Sequence, residues 1–109
     1  MIRVIKRNMV VTAIMEGEID HCSSAMCREK IEQAITDSAV KELRLDFTHV
    51  TFMDSSGVGM LIGRYRTMAQ RGGKVVATGL NVQMERLFRF AGLHRIIAVD
   101  EVKGDAVNE

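Results

Sequence analysis

Leu43-Arg44-Leu45-Asp46-Phe47, the later Asp54-Ser55-Ser56-Gly57-Val58-Gly59, and Gly72-Gly73-Lys74-Val75-Val76-Ala77-Thr78 together decide the fold. The first run alternates apolar and polar residues with period two, which predicts a short strand over 43–47 and a loop over 48–54. From Ser55 onward Val58, Leu61, Ile62, Tyr65, Met68 and Ala69 fall on one helical face, and Gly72-Gly73 gives a stop signal. The β-rich run over 74–78 then reads as a second strand. A strand, a helix and a strand in this order make a crossover unit, and its natural home is a parallel sheet covered by helices.

The flanks extend the same pattern. On the N-terminal side, runs over 2–6 and 9–14 with Arg7-Asn8 between them read as a hairpin, the second run being apolar nearly throughout, as an inner strand is. Gly17 and the polar stretch 18–24 are expected to form a loop, with Ser23 or Ser24 capping a helix over 24–38. That helix carries Cys27, Ile31, Ala34, Ile35 and Ser38 as its stripe. On the C-terminal side Asn81 caps a third helix with Met84, Leu87, Phe88 and Ala91 inward, Gly92 ends it, and 96–99 form a last strand. The expected architecture is α/β, a single domain over 1–100 with a mixed, largely parallel sheet, followed by a polar tail over 101–109.

Composition narrows the function classes. With 109 residues there is room for one modest core, and 47% hydrophobic against 27% charged residues argues for a folded globule. No apolar run approaches the roughly 20 residues a membrane span needs, and no signal-peptide pattern opens the chain, so a cytoplasmic setting is expected. Cys22 and Cys27 are then expected to be reduced, and with His21 they match no standard zinc spacing. The net charge of +1 conceals a basic half: Arg64, Arg66, Arg71, Lys74, Arg86, Arg89 and Arg95 face only Glu85 between positions 64 and 95. One tyrosine and no tryptophan leave that half without the stacking platforms of a single-strand nucleic-acid binder, so it reads as a solvated helix surface or a docking face for an acidic partner.

The densest local chemistry lies at residues 54–59. Asp54 and Ser55 are both good N-cap residues, whereas Gly57 and Gly59 each cost a helix ~1 kcal/mol relative to alanine. Something other than helix propensity favours them, and close approach of another backbone is the expected reason. Three readings stay open: a well-capped helix, an anion site at the helix N-terminus, and a serine that itself becomes phosphorylated. No lysine completes a phosphate-cradling loop, and Gly-x-Ser-x-Gly is absent. His21, His49 and His94 are not spaced so as to mark a hydrolase base.

Asp54-Ser55-Ser56-Gly57-Val58-Gly59, the strand before it, and Arg86-Leu87-Phe88-x-x-Ala91-Gly92-Leu93 closely resemble the STAS domain family of anti-sigma factor antagonists, over residues 2–99. Gly17-Glu18-Ile19-Asp20-His21 and Gly63-Arg64-Tyr65-Arg66 make the chain most similar to the family's sporulation members. The resemblance implies a regulator without a catalytic role or cofactor. Its unphosphorylated form binds an anti-sigma factor that is also a serine kinase and so frees a sporulation sigma factor. The resemblance further implies that Ser55 is the phosphorylation site, that phosphorylation switches the protein off, and that a PP2C-type phosphatase resets it. Asp20, His21, Asp54, Ser56, Gly57 and Val58 map onto the partner-binding region. No direct contact with nucleic acid or membrane is implied. Other uses of such a domain are a general stress-response antagonist or a module for a small ligand.

Overall fold

The computed structural model describes residues 1–100. Five strands and three helices follow one another as β1 (Ile2–Arg7), β2 (Val10–Ile19), α1 (His21–Ala34), β3 (Glu42–Met53), α2 (Ser55–Ala69), β4 (Lys74–Thr78), α3 (Val82–Phe90) and β5 (Ala98–Val99), with a 3-10 turn at Leu93–Arg95. The sheet order is β1-β2-β3-β4-β5. β1 and β2 pair antiparallel as the expected hairpin, Ile2 opposite Met15 and Arg7 opposite Val10. Every later pair is parallel. Strands added one after another in one direction, each by a right-handed crossover, put the helices on one face of the sheet.

The core lies between that face and the helices. Val11 and Ala13 of β2, Leu43, Leu45 and Phe47 of β3 and Val75 and Ala77 of β4 are buried there with Ile31 of α1, Leu61 of α2 and Phe88 of α3. Phe88 meets Phe47 edge to face, centroids 5.6 Å apart, which fixes α3 onto the sheet. On the other face Thr12, Arg44, Val76 and Ala98 stand side by side in register, and Arg44 bridges Glu42 and Asp100 at 2.6 and 2.9 Å.

Several local expectations are corrected, all for tertiary reasons. The loop expected at 48–54 is strand through Met53, because β2 also runs on to Ile19 and the two pair to their ends. β2 passes through Gly17, whose φ of 82° absorbs a register shift between Gly17 and Glu18. α1 therefore starts at His21 rather than Ser24, capped by Asp20, and it ends at Ala34 rather than Ser38. On α2 the buried stripe is Gly57, Met60, Leu61, Arg64 and Met68, while Val58, Ile62 and Tyr65 are half-buried and Ala69 is exposed. Ala91 is exposed as well, and the last strand shrinks to two residues. The tail expected over 101–109 lies outside the described residues.

The basic half is largely absorbed by the fold. Arg64 is buried against α1, with Nε 3.0 Å from Glu32. Arg71 Nη1 donates to the carbonyls of Ile35 and Asp37 at 2.7 and 3.1 Å, closing the C-terminal end of α1. Lys74 approaches Glu42 at 3.8 Å, and Arg89 pairs with Glu85 one helical turn away. The side chains of Arg66, Arg86 and Arg95 are left without a hydrogen bond or ion pair among the described residues.

Candidate functional site

β2 and β3 are parallel neighbours, and both feed directly into helices. Ile19 pairs with Met53, so the residues that follow, Asp20 and Asp54, are N-caps standing side by side at the same edge of the sheet. Their backbones are nearly superimposable in torsion, φ −104° and ψ −166° at Asp20 against φ −102° and ψ −169° at Asp54. The amide of Asp54 donates across to the carbonyl of Ile19 at 3.2 Å, tying the two junctions together.

At the first junction the Asp20 carboxylate accepts from the amide of Ser23 at 3.0 Å, and the Ser23 oxygen accepts from the Asp20 amide at 2.9 Å. This is a complete capping box, with the Ser23 hydroxyl reaching back to the carbonyl of Glu18 at 2.8 Å. Hydrogen bonds from the Ser23 amide and then its hydroxyl hold the Asp20 carboxyl below the usual aspartate range. The cap expected at Ser23 or Ser24 is Asp20 instead, and the Asp-x-x-Ser spacing is its signal in the sequence.

At the second junction Asp54 Oδ1 accepts from the amides of Ser56 and Gly57 at 2.8 and 3.3 Å. Ser55 opens the helix, is exposed, and its hydroxyl makes no hydrogen bond among the described residues. Gly57 has an internal reason for lacking a side chain: a Cβ there would lie 2.3 Å from Met53 Cγ and 3.0 Å from Ile19 Cγ2. The close approach expected at Gly57 is thus made by this chain's own strand ends. Gly59 is different, since a Cβ there would meet nothing within 4 Å.

Between the two helices runs a shallow groove of about 290 Å³ lined by His21, Ser24, Arg28, Ser56, Gly59 and Arg64, among others. It brings His21 and Ser56 to one surface. Val58 is half-buried beside the core and Asp20 and Asp54 are half-buried at their caps. No histidine hydrogen-bonds Ser55 or Ser56 among the described residues, and none of those residues form a His, Cys, Asp and Glu cluster able to hold a metal. Cys22 is exposed, while Cys27 is buried, and burial pushes its thiol up. No helix among the described residues is long and apolar enough to cross a membrane.

Comparison with known proteins is consistent in kind. The STAS domain model matches residues 1–106. The anti-sigma F factor antagonist of Paenibacillus polymyxa is 32% identical over 100 residues, covering 92% of this chain and 86% of that one. The anti-sigma-B factor antagonist of Listeria monocytogenes is 36% identical over 98 residues, covering 87% and 82%. Among solved structures, the phosphorylated form of the Bacillus cell fate determinant SpoIIAA superposes with a TM-score of 0.74 at 30% identity, covering 92% of this chain and 91% of that one.

Proposed function

Because the chain belongs to the STAS domain family, we propose that it is an anti-sigma factor antagonist, acting in the cytoplasm and switched by phosphorylation of Ser55. The observation that carries this reading is the free, exposed hydroxyl of Ser55 in the first turn of α2, on a helix whose cap is already supplied by Asp54. That serine is dispensable to the fold and available to a kinase. The relatives named above, antagonists of anti-sigma factors F and B, supply the class of partner.

In this mechanism the unphosphorylated protein docks its junction edge on an anti-sigma factor that is also a serine kinase, and the sigma factor is released. Asp20, His21, Asp54, Ser56, Gly57 and Val58 surround the docking edge. The kinase then transfers a phosphoryl group: Ser55 Oγ bonds to the γ-phosphorus of ATP, the bond to the bridging oxygen breaks to leave ADP, and a base on the kinase takes the serine proton. The phosphate adds roughly −1.5 to −2 charges, which the positive end of α2 tolerates, so the fold stays as it is. Its effect falls on the partner, where Asp54 and bound ADP oppose the new charge. A loss of about 3 kcal/mol lowers affinity more than a hundredfold. A PP2C-type phosphatase restores the docking form.

The test is an intact-mass measurement after incubation with ATP and an anti-sigma kinase. One added phosphoryl group is expected, absent in Ser55→Ala, and labelling that survives this substitution refutes the site. The sporulation pathway is the favoured setting, on the likeness to the antagonist of anti-sigma F. The stress-response setting is the second reading, because the Listeria antagonist is 36% identical. Which sigma factor is freed in a reconstituted competition decides between them.

A further inference from the structure

Arg64 is an expensive residue to place where it is. It is 8% exposed, its Nη1 is buried without an acceptor, and its Nε faces Glu32 at 3.0 Å without hydrogen-bond alignment. Glu32 Oε2 also accepts from the Thr67 hydroxyl at 3.0 Å. Nη2 is left as the guanidinium nitrogen that reaches the groove between α1 and α2, where Arg28 and His21 line the α1 side. Burial lowers the proton affinity of Arg64, Glu32 opposes this, and Arg28 adds to the lowering, so the two guanidiniums feel each other. The amides of Ser56 and Gly57 are already taken by Asp54. The groove's attraction for an anion therefore comes from its arginines rather than from the helix end.

We propose that this groove is an oxyanion pocket that receives a carboxylate side chain of the docked partner, held between Arg64 Nη2 and Arg28, with Gly59 leaving the space for it. Two like charges face the groove from its two helices, Arg28 from α1 and Arg64 from α2, and an anion between them offsets their repulsion. An acidic partner residue fits this chemistry, and the proposal rests on the reading of the junction edge as a docking surface. It also gives Gly59 a purpose: a residue with nothing packed over it keeps the pocket mouth open.

The experiment has two arms. In the first, the full chain is titrated with sodium acetate and, separately, inorganic phosphate against chloride at constant ionic strength, following backbone amides and arginine Nε–H signals by NMR. Saturable shifts are expected at Ser56, Gly59, Arg28 and Arg64, weakened at least tenfold in Arg64→Gln and in the exposed-site variant Arg28→Gln, which leaves the core untouched. Shifts spread equally over Arg66, Arg86 and Arg95 overturn the proposal. In the second arm, Arg28→Gln is expected to bind the anti-sigma kinase at least tenfold more weakly, with the loss shrinking as salt rises. An unchanged affinity overturns the proposal, including the case in which phosphate alone binds the groove. If Arg28→Gln is still labelled at Ser55 but binds as the parent does, the pocket fails and the switch stands. If the parent chain is never labelled, the switch fails and the first arm still judges the pocket.

Discussion

The junctions leading into α1 and α2 share a backbone path and differ in what they leave unused. At Asp20 the cap is reciprocal: the third helical residue is Ser23, and it closes a box with the amide of Asp20. At Asp54 the third residue is Gly57, which has no side chain to return, and the amide of Asp54 turns instead to Ile19 on the neighbouring strand. The first junction is closed on itself and the second is held from outside. Ser55 stands at the first helical position, whose counterpart in α1 is His21. A serine in the third position would be locked into the cap; a serine in the first is stabilised by nothing and is open to modification.

Substitutions can break this contrast in order of size. Gly57→Ala is expected to be the most damaging, because the new methyl must displace Met53 Cγ and crowd Ile19. A loss of about 1–3 kcal/mol is expected from such overpacking, measured by urea unfolding; a neutral result would mean that Met53 is free to move and that Gly57 is not fixed by the strand ends. Ser23→Ala opens the box at the first junction and should cost about 1 kcal/mol, a typical net value for a lost hydrogen bond. Gly59→Ala is expected to act in the opposite sense, stabilising the helix by up to about 1 kcal/mol, since nothing opposes the added carbon. The same variant narrows the groove, so raised stability with weakened kinase binding is the outcome that separates the two uses of that position. Ser55→Ala is expected to leave stability within about 0.5 kcal/mol of the parent, as for other surface changes away from special contacts, because its hydroxyl holds nothing. A larger loss would show that the second junction also depends on its serine.

Acid sharpens the comparison further. The Asp20 carboxyl lies below its ordinary value in the folded chain, so its contribution to stability is present above the unfolded aspartate range and is lost as pH falls through the lowered value. Carbon-detected NMR titration should show Asp20 protonating later than an unperturbed aspartate, and Ser23→Ala should bring it back toward the ordinary range. Persistence of the full depression in that variant would mean that the Ser23 hydroxyl plays no part.

The alternation of strand and helix and the double-glycine stop after α2 were legible in the sequence, because periodicity and stop signals act over neighbours within a turn or a pleat. So was the serine-bearing helix start at Ser55, since Asp54 caps from one residue away. The true lengths of β2 and β3 were not, since residues 48–53 become strand only by pairing with Gly17, Glu18 and Ile19, which lie some thirty residues earlier in the chain. The true helix face was also hidden: a glycine and an arginine carry no apolar signal, yet Gly57 is buried by the strand ends and Arg64 by α1. By itself, then, the order of residues determined which elements form and that a serine opens α2. The tertiary structure alone decided that two caps from distant segments share one edge and that an arginine pair lines the groove between their helices, because those relations depend on which strands become neighbours, a long-range choice made by burying one common core.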